Sequence, residues 1–151
     1  MKNLNLEEPF PGDYKFVEKV KPTELECAAK IIIPKQTIEP WQVHYAPFKE
    51  KIIVEHGELW IQKPIWYKNY TNISYVQEPE NIDKYCEGEI VKMSINLPHR
   101  PINRYNEDLT IIVESSPGPE HRQDLEPEFS SLTECIDALH KELIKNALRN
   151  Y

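Results

Sequence analysis

The sequence has little glycine, few cysteines, no excess of positive charge and no long apolar run. Only 4 of its 151 residues are glycine, against 13 prolines, which predicts many short segments with stiff connections rather than long helices. The absence of any run of about 18 apolar residues predicts no membrane-spanning helix. A net charge of −7 at pH 7 leaves no basic stripe for a phosphate backbone and argues against a nucleic-acid partner.

The cysteines and the first residues indicate the compartment. Cys27, Cys86 and Cys135 are widely spaced and form neither a CxxC pair nor a disulfide framework, so reduced thiols are expected. The opening MKNLNLEEPFPGDY lacks the charged-then-apolar pattern of a signal peptide. We therefore expect a cytoplasmic protein.

Short apolar or alternating segments recur along the chain and are typical of β-strands. The clearest pair, KIIVE (51–55) and ELWIQ (58–62), flanks His56 and Gly57 and predicts a β-hairpin. The segment WQVHYA (41–46) is predicted as a further strand. In such a strand, alternate residues share a face.

The end of the chain differs in pattern. Residues 117–129 are predicted as a surface loop, and residues 132–150 as the one convincing helix, with Ser131 and Glu134 at capping-box spacing. Its apolar stripe consists of Leu132, Ile136, Leu139, Leu143 and Ala147. About eight short strands followed by one helix predict a single domain, an antiparallel sandwich or barrel with the helix packed on it.

Two segments place a histidine inside an apolar run. In residues 41–57, His44 is followed six residues later by Glu50, and in residues 88–103, His99 lies between two prolines. The spacing resembles the two motifs of the cupin family. The first reads G-x5-H-x-H-x3–4-E-x6-G and ends here at Gly57; the second reads G-x5-P-x-G-x2-H-x3-N, with Gly88 and Asn103 at its ends.

Four positions depart from these motifs. Ile38 replaces the first glycine, Ser94 replaces a proline, and Asn96 replaces an internal glycine. The change at Asn96 is mild because asparagine tolerates positive φ. The serious departure is Ala46, which stands where the second metal-binding histidine of the family is expected.

The resemblance implies an all-β fold, an antiparallel jelly-roll (cupin) β-barrel with a C-terminal α-helix. We expect an N-terminal arm or edge strand over 1–25, the barrel over 26–116, and a loop and helix packed on it over 117–151. It also implies that His44, Glu50 and His99 hold one divalent ion (Zn, Mn, Fe or Ni). Alternatively, the metal has been lost and the same face binds a small polar ligand.

The resemblance also implies a small-molecule enzyme, an isomerase or epimerase acting on a sugar or sugar phosphate. Glu50 or a histidine would act as the general base, and His99, Tyr105 or the metal would polarise the carbonyl oxygen. Arg100 and Arg104 are candidates to bind a phosphate or carboxylate, and Trp60 is a candidate for substrate contact. Surface ion pairs for the arginines and sheet packing for the tryptophan are the alternatives.

Two other functions stay open. An Fe(II)-dependent dioxygenase could use the same two histidines and one glutamate, and a non-catalytic cupin could bind a carbohydrate or act structurally. The missing histidine at Ala46 favours the non-catalytic alternative. By analogy with the family, a homodimer is expected.

Overall fold

The computed structural model describes residues 15–68, 73–76, 81–118 and 122–149, so most of the arm predicted over 1–25 lies outside the described residues. The strands are β1 (Lys15–Val20), β2 (Cys27–Ile33), β3 (Thr37–Ile38), β4 (Trp41–Gln42), β5 (Lys49–His56), β6 (Leu59–Gln62), β7 (Ile65–Lys68), β8 (Ile73–Val76), β9 (Ile82–Tyr85), β10 (Ile90–Met93), β11 (Arg100–Asn103), β12 (Leu109–Ser116) and β13 (Glu128–Phe129). The helices are α1 (Arg122–Leu125) and α2 (Leu132–Arg149).

Two antiparallel sheets form the body of the molecule. The larger has the strand order β1-β2-β12-β5-β10, and the smaller has the order β3-β11-β6-β9. The apolar core includes inward side chains of both sheets, namely Ala29, Ile31, Ile33, Ile52, Val54, Leu59, Ile61, Val91, Leu109, Ile111 and Val113. The predicted all-β jelly roll with a C-terminal helix is confirmed. Among the described strands, the pairing forms separate sheets and does not close into one barrel.

The predicted hairpin of residues 51–62 is wrong. Strand β5 pairs with β10 and β12, whereas β6 pairs with β9 and β11 in the other sheet. The reason is the apolar pattern on both strands, because Ile52 and Val54 of one and Leu59 and Ile61 of the other belong to the same buried core. The connection at Gly57 therefore turns the chain from one sheet to the facing one.

Gly57 adopts a φ of +97°, which side chains rarely tolerate. We expect Gly57→Ala to lower the free energy of unfolding by about 1–2 kcal/mol. A Cβ there would meet Leu109 Cδ1 at 3.4 Å, an ordinary contact, so backbone strain is the expected cause. Gly57→Asn should lose less than half as much, because asparagine tolerates positive φ, as Asn96 does at +59°. Urea unfolding measures both, and an equal or larger loss for Gly57→Asn would assign the effect to crowding instead.

The predictions for residues 41–46 and 117–129 are also wrong. The strand predicted over 41–46 ends at Gln42, so Ala46 lies in an exposed turn and not on a strand face. Residues 117–129, predicted as a surface loop, contain α1 and β13, and β13 pairs with β4. This pairing brings the segment around Glu126 against the loop that carries His44.

Helix α2 begins where the capping box predicts. The Ser131 hydroxyl oxygen accepts a hydrogen bond from the Glu134 amide at 3.2 Å. Leu132, Cys135 and Leu139 are buried against Trp41 and Val43, and Ile136 and Leu143 are partly buried beside them, but Ala147 is exposed. The described helices include none that is long and apolar enough to span a membrane.

Candidate metal centre

Strand β5 carries the first acidic group of the site. Glu50, Ile52 and Val54 alternate along the strand and are all buried, and Glu50 is only 6% exposed. Alternate strand residues share a face, so the carboxylate of Glu50 lies on the same inner face as the apolar core. A glutamate in that position requires a polar or charged partner.

The loop after β4 holds His44 through its backbone. The Asn96 amide donates to the His44 carbonyl at 2.8 Å, and the Tyr45 amide donates to the Leu125 carbonyl at 2.8 Å. The ring of Phe48 stacks on the imidazole with centroids 4.8 Å apart. The loop is thereby tied both to the turn after β10 and to the end of α1, and the imidazole is buried.

Glu126 is the third member of the site. Its carboxylate oxygen lies 3.5 Å from His44 Nδ1, and a carboxylate oxygen of Glu50 lies 3.7 Å from His44 Nε2. One donor atom from each of the three residues can be chosen so that all lie within 4.8 Å of one another, and all three residues are buried. This spacing allows all three to bind one ion.

His99 lies beside this group. It forms an antiparallel bridge with Gln42, and its ring centroid is 4.7 Å from that of His44. His99 Nδ1 is 2.9 Å from the carbonyl oxygen of Leu97. A carbonyl only accepts hydrogen bonds, so Nδ1 carries the proton and Nε2 presents its lone pair. That buried Nε2 has no hydrogen-bond partner among the described residues.

Burial lowers the pKa of His99 to about 4, although its hydrogen bond to Leu97 acts in the opposite direction and Lys63 lowers the pKa further. The imidazole is therefore neutral at pH 7. A neutral imidazole whose second nitrogen bonds a backbone carbonyl has the form that histidine takes as a metal ligand. The Nε2 lone pair of His99 is therefore a further candidate ligand beside His44, in addition to the carboxylate of Glu126.

The other predicted residues lie away from this centre. Tyr105 is 46% exposed and donates a hydrogen bond to Glu58 at 2.9 Å, which raises its pKa. Arg100 and Arg104 line a separate surface groove. Trp60 stacks under Arg104, with the guanidinium 5.1 Å from its ring centroid. His44 and Glu50 are brought together, His99 is adjacent to them, and the remaining candidates are not.

Sequence reasoning missed Glu126. It belongs to no spacing pattern with the other ligands, and it lies in a proline-rich segment that is typical of loops. Glu126, from the C-terminal part of the chain, lies beside His44 in place of the second histidine of an H-x-H pair. The donor set suits a borderline metal ion such as Fe(II), Mn(II) or Zn(II), because it combines imidazole nitrogen with carboxylate oxygen.

No protein-family model and no curated protein sequence matches the chain. Among solved structures, CapF bound to 3-isopropenyl-tropolone is 13% identical with a TM-score of 0.51, and the match covers 85% of this chain and 33% of that one. A cupin-like protein from Thermotoga maritima is 15% identical with a TM-score of 0.49, covering 73% and 68%. A cupin-superfamily sugar phosphate isomerase from Silicibacter pomeroyi is 12% identical with a TM-score of 0.44, covering 59% and 48%.

These likenesses concern the fold alone. The chain spans about half the length of the isomerase chain and a third of the CapF chain. Its fold is the antiparallel jelly roll that the sequence resemblance implied, and the solved structures that it is similar to include cupin-type ones. Its chemistry has to be argued from its own residues, because fold does not fix function.

Proposed function

We propose that this cupin-fold protein is a small-molecule enzyme with a divalent metal ion held by His44, Glu50 and Glu126. One observation carries the proposal, namely three buried ligand side chains with donor atoms within 4.8 Å of one another. His99 is the neighbouring neutral base or fourth ligand.

The chemistry of the three side chains supports the metal ion. Two buried carboxylates and one imidazole supply oxygen and nitrogen donors of the kind that divalent cations bind. Glu126 lies beside Nδ1 of His44 and Glu50 lies beside Nε2, at 3.5 and 3.7 Å. One of the two carboxylates would therefore turn towards the other ring nitrogen for all three residues to reach ligand distances of about 2.0–2.2 Å.

The reaction that we propose is isomerisation or epimerisation of a sugar or sugar phosphate. The bound metal ion would act as a Lewis acid on the substrate carbonyl. In the tautomer fixed by Leu97, His99 Nε2 can accept a proton but cannot donate one. We therefore propose that His99 acts as the base that removes a proton from the carbon next to the carbonyl, and not as the group that polarises the carbonyl oxygen. Glu50 then serves as a metal ligand.

Burial favours a second candidate, a non-catalytic cupin with a structural metal ion. His44, Glu50, His99 and Glu126 are each no more than 6% exposed, so a substrate would have to displace part of the surrounding structure to reach them. In that case the metal ion would stabilise the fold and no turnover would follow. The homodimer stays a prediction under either candidate.

Deuterium exchange separates the two candidates. The protein is first stripped of metal and then loaded with Mn(II) or Zn(II). It is incubated in D₂O with a panel of aldoses, ketoses and their phosphates, and proton NMR follows the hydrogen on the carbon next to the carbonyl. We expect exchange with one class of sugar and a loss of at least about 100-fold in His99→Gln, with His140→Gln on α2 as the control. Stoichiometric metal without exchange would overturn the enzyme and support the structural role. Oxygen consumption by the Fe(II)-loaded protein would indicate the dioxygenase instead.

A further inference from the structure

The outer face of the four-stranded sheet carries a second group of functional side chains. In the register of β11 with β6, Arg100 is opposite Gln62 and Ile102 is opposite Trp60. Because consecutive strand residues face opposite sides, Arg100 projects away from the side that His99 occupies. This face is therefore separate from the candidate metal centre.

Three cations gather on this face around aromatic rings. The guanidinium of Arg100 lies 4.8 Å from the ring centroid of Trp41, and that of Arg104 lies 5.1 Å from the centroid of Trp60. Lys84 Nζ lies 5.6 Å from the same Trp60 ring. In the described part of the chain, no acidic side chain forms an ion pair with Arg100, Arg104 or Lys84. Cations without acidic partners are notable in a protein of net charge −7.

Arg100 is held in place. Its Nε donates to Gln62 Oε1 at 2.7 Å, and Gln62 is only 4% exposed. Burial lowers the pKa of the guanidinium, which nevertheless stays charged because arginine is protonated throughout the working pH range. A fixed, partly desolvated guanidinium binds an anion more strongly than a mobile surface arginine does.

Arg100 and Arg104 border a groove of about 450 Å³. Its polar lining includes Arg100, Arg104 and Gln62, and its apolar lining consists of Ile38, Ile82 and Ile102. Ile38 is 58% exposed, so apolar surface is available beside the guanidinium groups. The volume is in the range of small-molecule sites.

We propose that this groove binds a small organic anion, a carboxylate or a phosphate monoester with an apolar body. The arginines bind the anionic group, and the isoleucines contact the rest of the molecule. The proposal does not rest on the metal centre, because the lining of the groove includes none of the three proposed metal ligands.

Calorimetric titration tests the groove with phenyl phosphate, benzoate, inorganic phosphate and neutral phenol as probes. We expect phenyl phosphate or benzoate to bind, with inorganic phosphate and phenol each at least about tenfold weaker, because each lacks one half of the ligand. Arg104→Gln should lower the affinity for the anion that binds about tenfold. Arg149→Gln, an exposed arginine in the last turn of α2, is the matched control and should have no effect.

The choice between phenyl phosphate and benzoate identifies the anionic group. Arg100→Gln should also lose binding, but this arginine contacts Trp41 and Gln62, so circular dichroism must first show that the variant folds. The exposed Arg104 keeps the test decisive if it does not. Three results would overturn the proposal. They are equal binding of phenol and phenyl phosphate, an equal loss of anion affinity in Arg149→Gln and Arg104→Gln, and no heat of binding with any of the anions.

Discussion

Glu114→Gln should lower the free energy of unfolding at pH 7 by about 3 kcal/mol. Glu114 is a carboxylate in β12 with 1% exposure. One of its oxygens accepts from the backbone amides of Glu24 and Leu25 at 2.9 and 3.2 Å. The other accepts from the amide and the hydroxyl of Thr23 at 3.1 and 2.7 Å. Glutamine would replace one of these acceptors by an NH₂ group that faces another donor.

The pH dependence follows from the same contacts. Burial alone would raise the pKa of Glu114, but the hydrogen bonds from Thr23, Glu24 and Leu25 lower it to about 2, from an ordinary 4.5. Because the folded-state pKa lies below the unfolded one, the stabilisation is complete above pH 4.5 and is lost as the pH falls towards 2. That difference corresponds to about 3 kcal/mol.

Urea unfolding at pH 7, 5, 4 and 3 measures this effect. The difference between wild type and Glu114→Gln should shrink as the pH falls below 4.5. The control is Glu18→Gln, since Glu18 is an exposed strand residue with one ion pair of 3.7 Å, and it should cost less than about 0.5 kcal/mol. A constant difference at every pH would show that packing, and not the charged hydrogen bonds, determines the effect of the substitution.

Glu126→Gln should weaken divalent metal binding about a hundredfold or more, whereas Ala46→His should leave it unchanged. Glu126 is one of the three clustered donors, and loss of a ligand exceeds the 10–100-fold that loss of an outer-shell partner costs. Ala46, in contrast, lies in an exposed turn. A histidine there would start from an exposed turn, whereas the three clustered ligands are buried.

Zinc titration of the metal-free variants measures both affinities. Glu26→Gln, which changes an exposed acid outside the site, is the matched control. If adding Ala46→His to the Glu126→Gln variant restored metal binding, residue 46 would face the site. The strand that the sequence predicts over 41–46 would then be correct, and the exposed turn at Ala46 would be wrong. If Glu126→Gln bound zinc as tightly as the wild type, Glu126 would not be a ligand.

Local patterns predicted the parts of the fold that depend on neighbouring residues. The capping box marked the start of α2, and the tolerance of asparagine for positive φ accounts for Asn96 at +59°. The hairpin prediction for 51–62 was wrong because a two-residue connection with one glycine suits both a hairpin and a turn between sheets. Only the global arrangement of the apolar faces decides between these two outcomes.

The site shows the same division. The motif spacing brought His44, Glu50 and His99 into consideration, and the structure places the first two together with the third adjacent. Glu126 lies 76 positions after Glu50 and is brought to the site by the pairing of β13 with β4 and by the hydrogen bond from Tyr45 to Leu125. Two-residue strands carry too little pattern to be predicted from sequence, so this contact could not be foreseen.

Anomalous X-ray diffraction from crystals soaked in Mn(II) tests the central claim most directly. We predict one buried peak about 2.0–2.3 Å from a nitrogen of His44 and from carboxylate oxygens of Glu50 and Glu126, absent in His44→Ala crystals. No peak between these three side chains at saturating Mn(II) would contradict the account. So would a peak found only beside His56, an exposed histidine whose ring nitrogens lie 3.0 Å from Glu87 and 3.6 Å from Glu107.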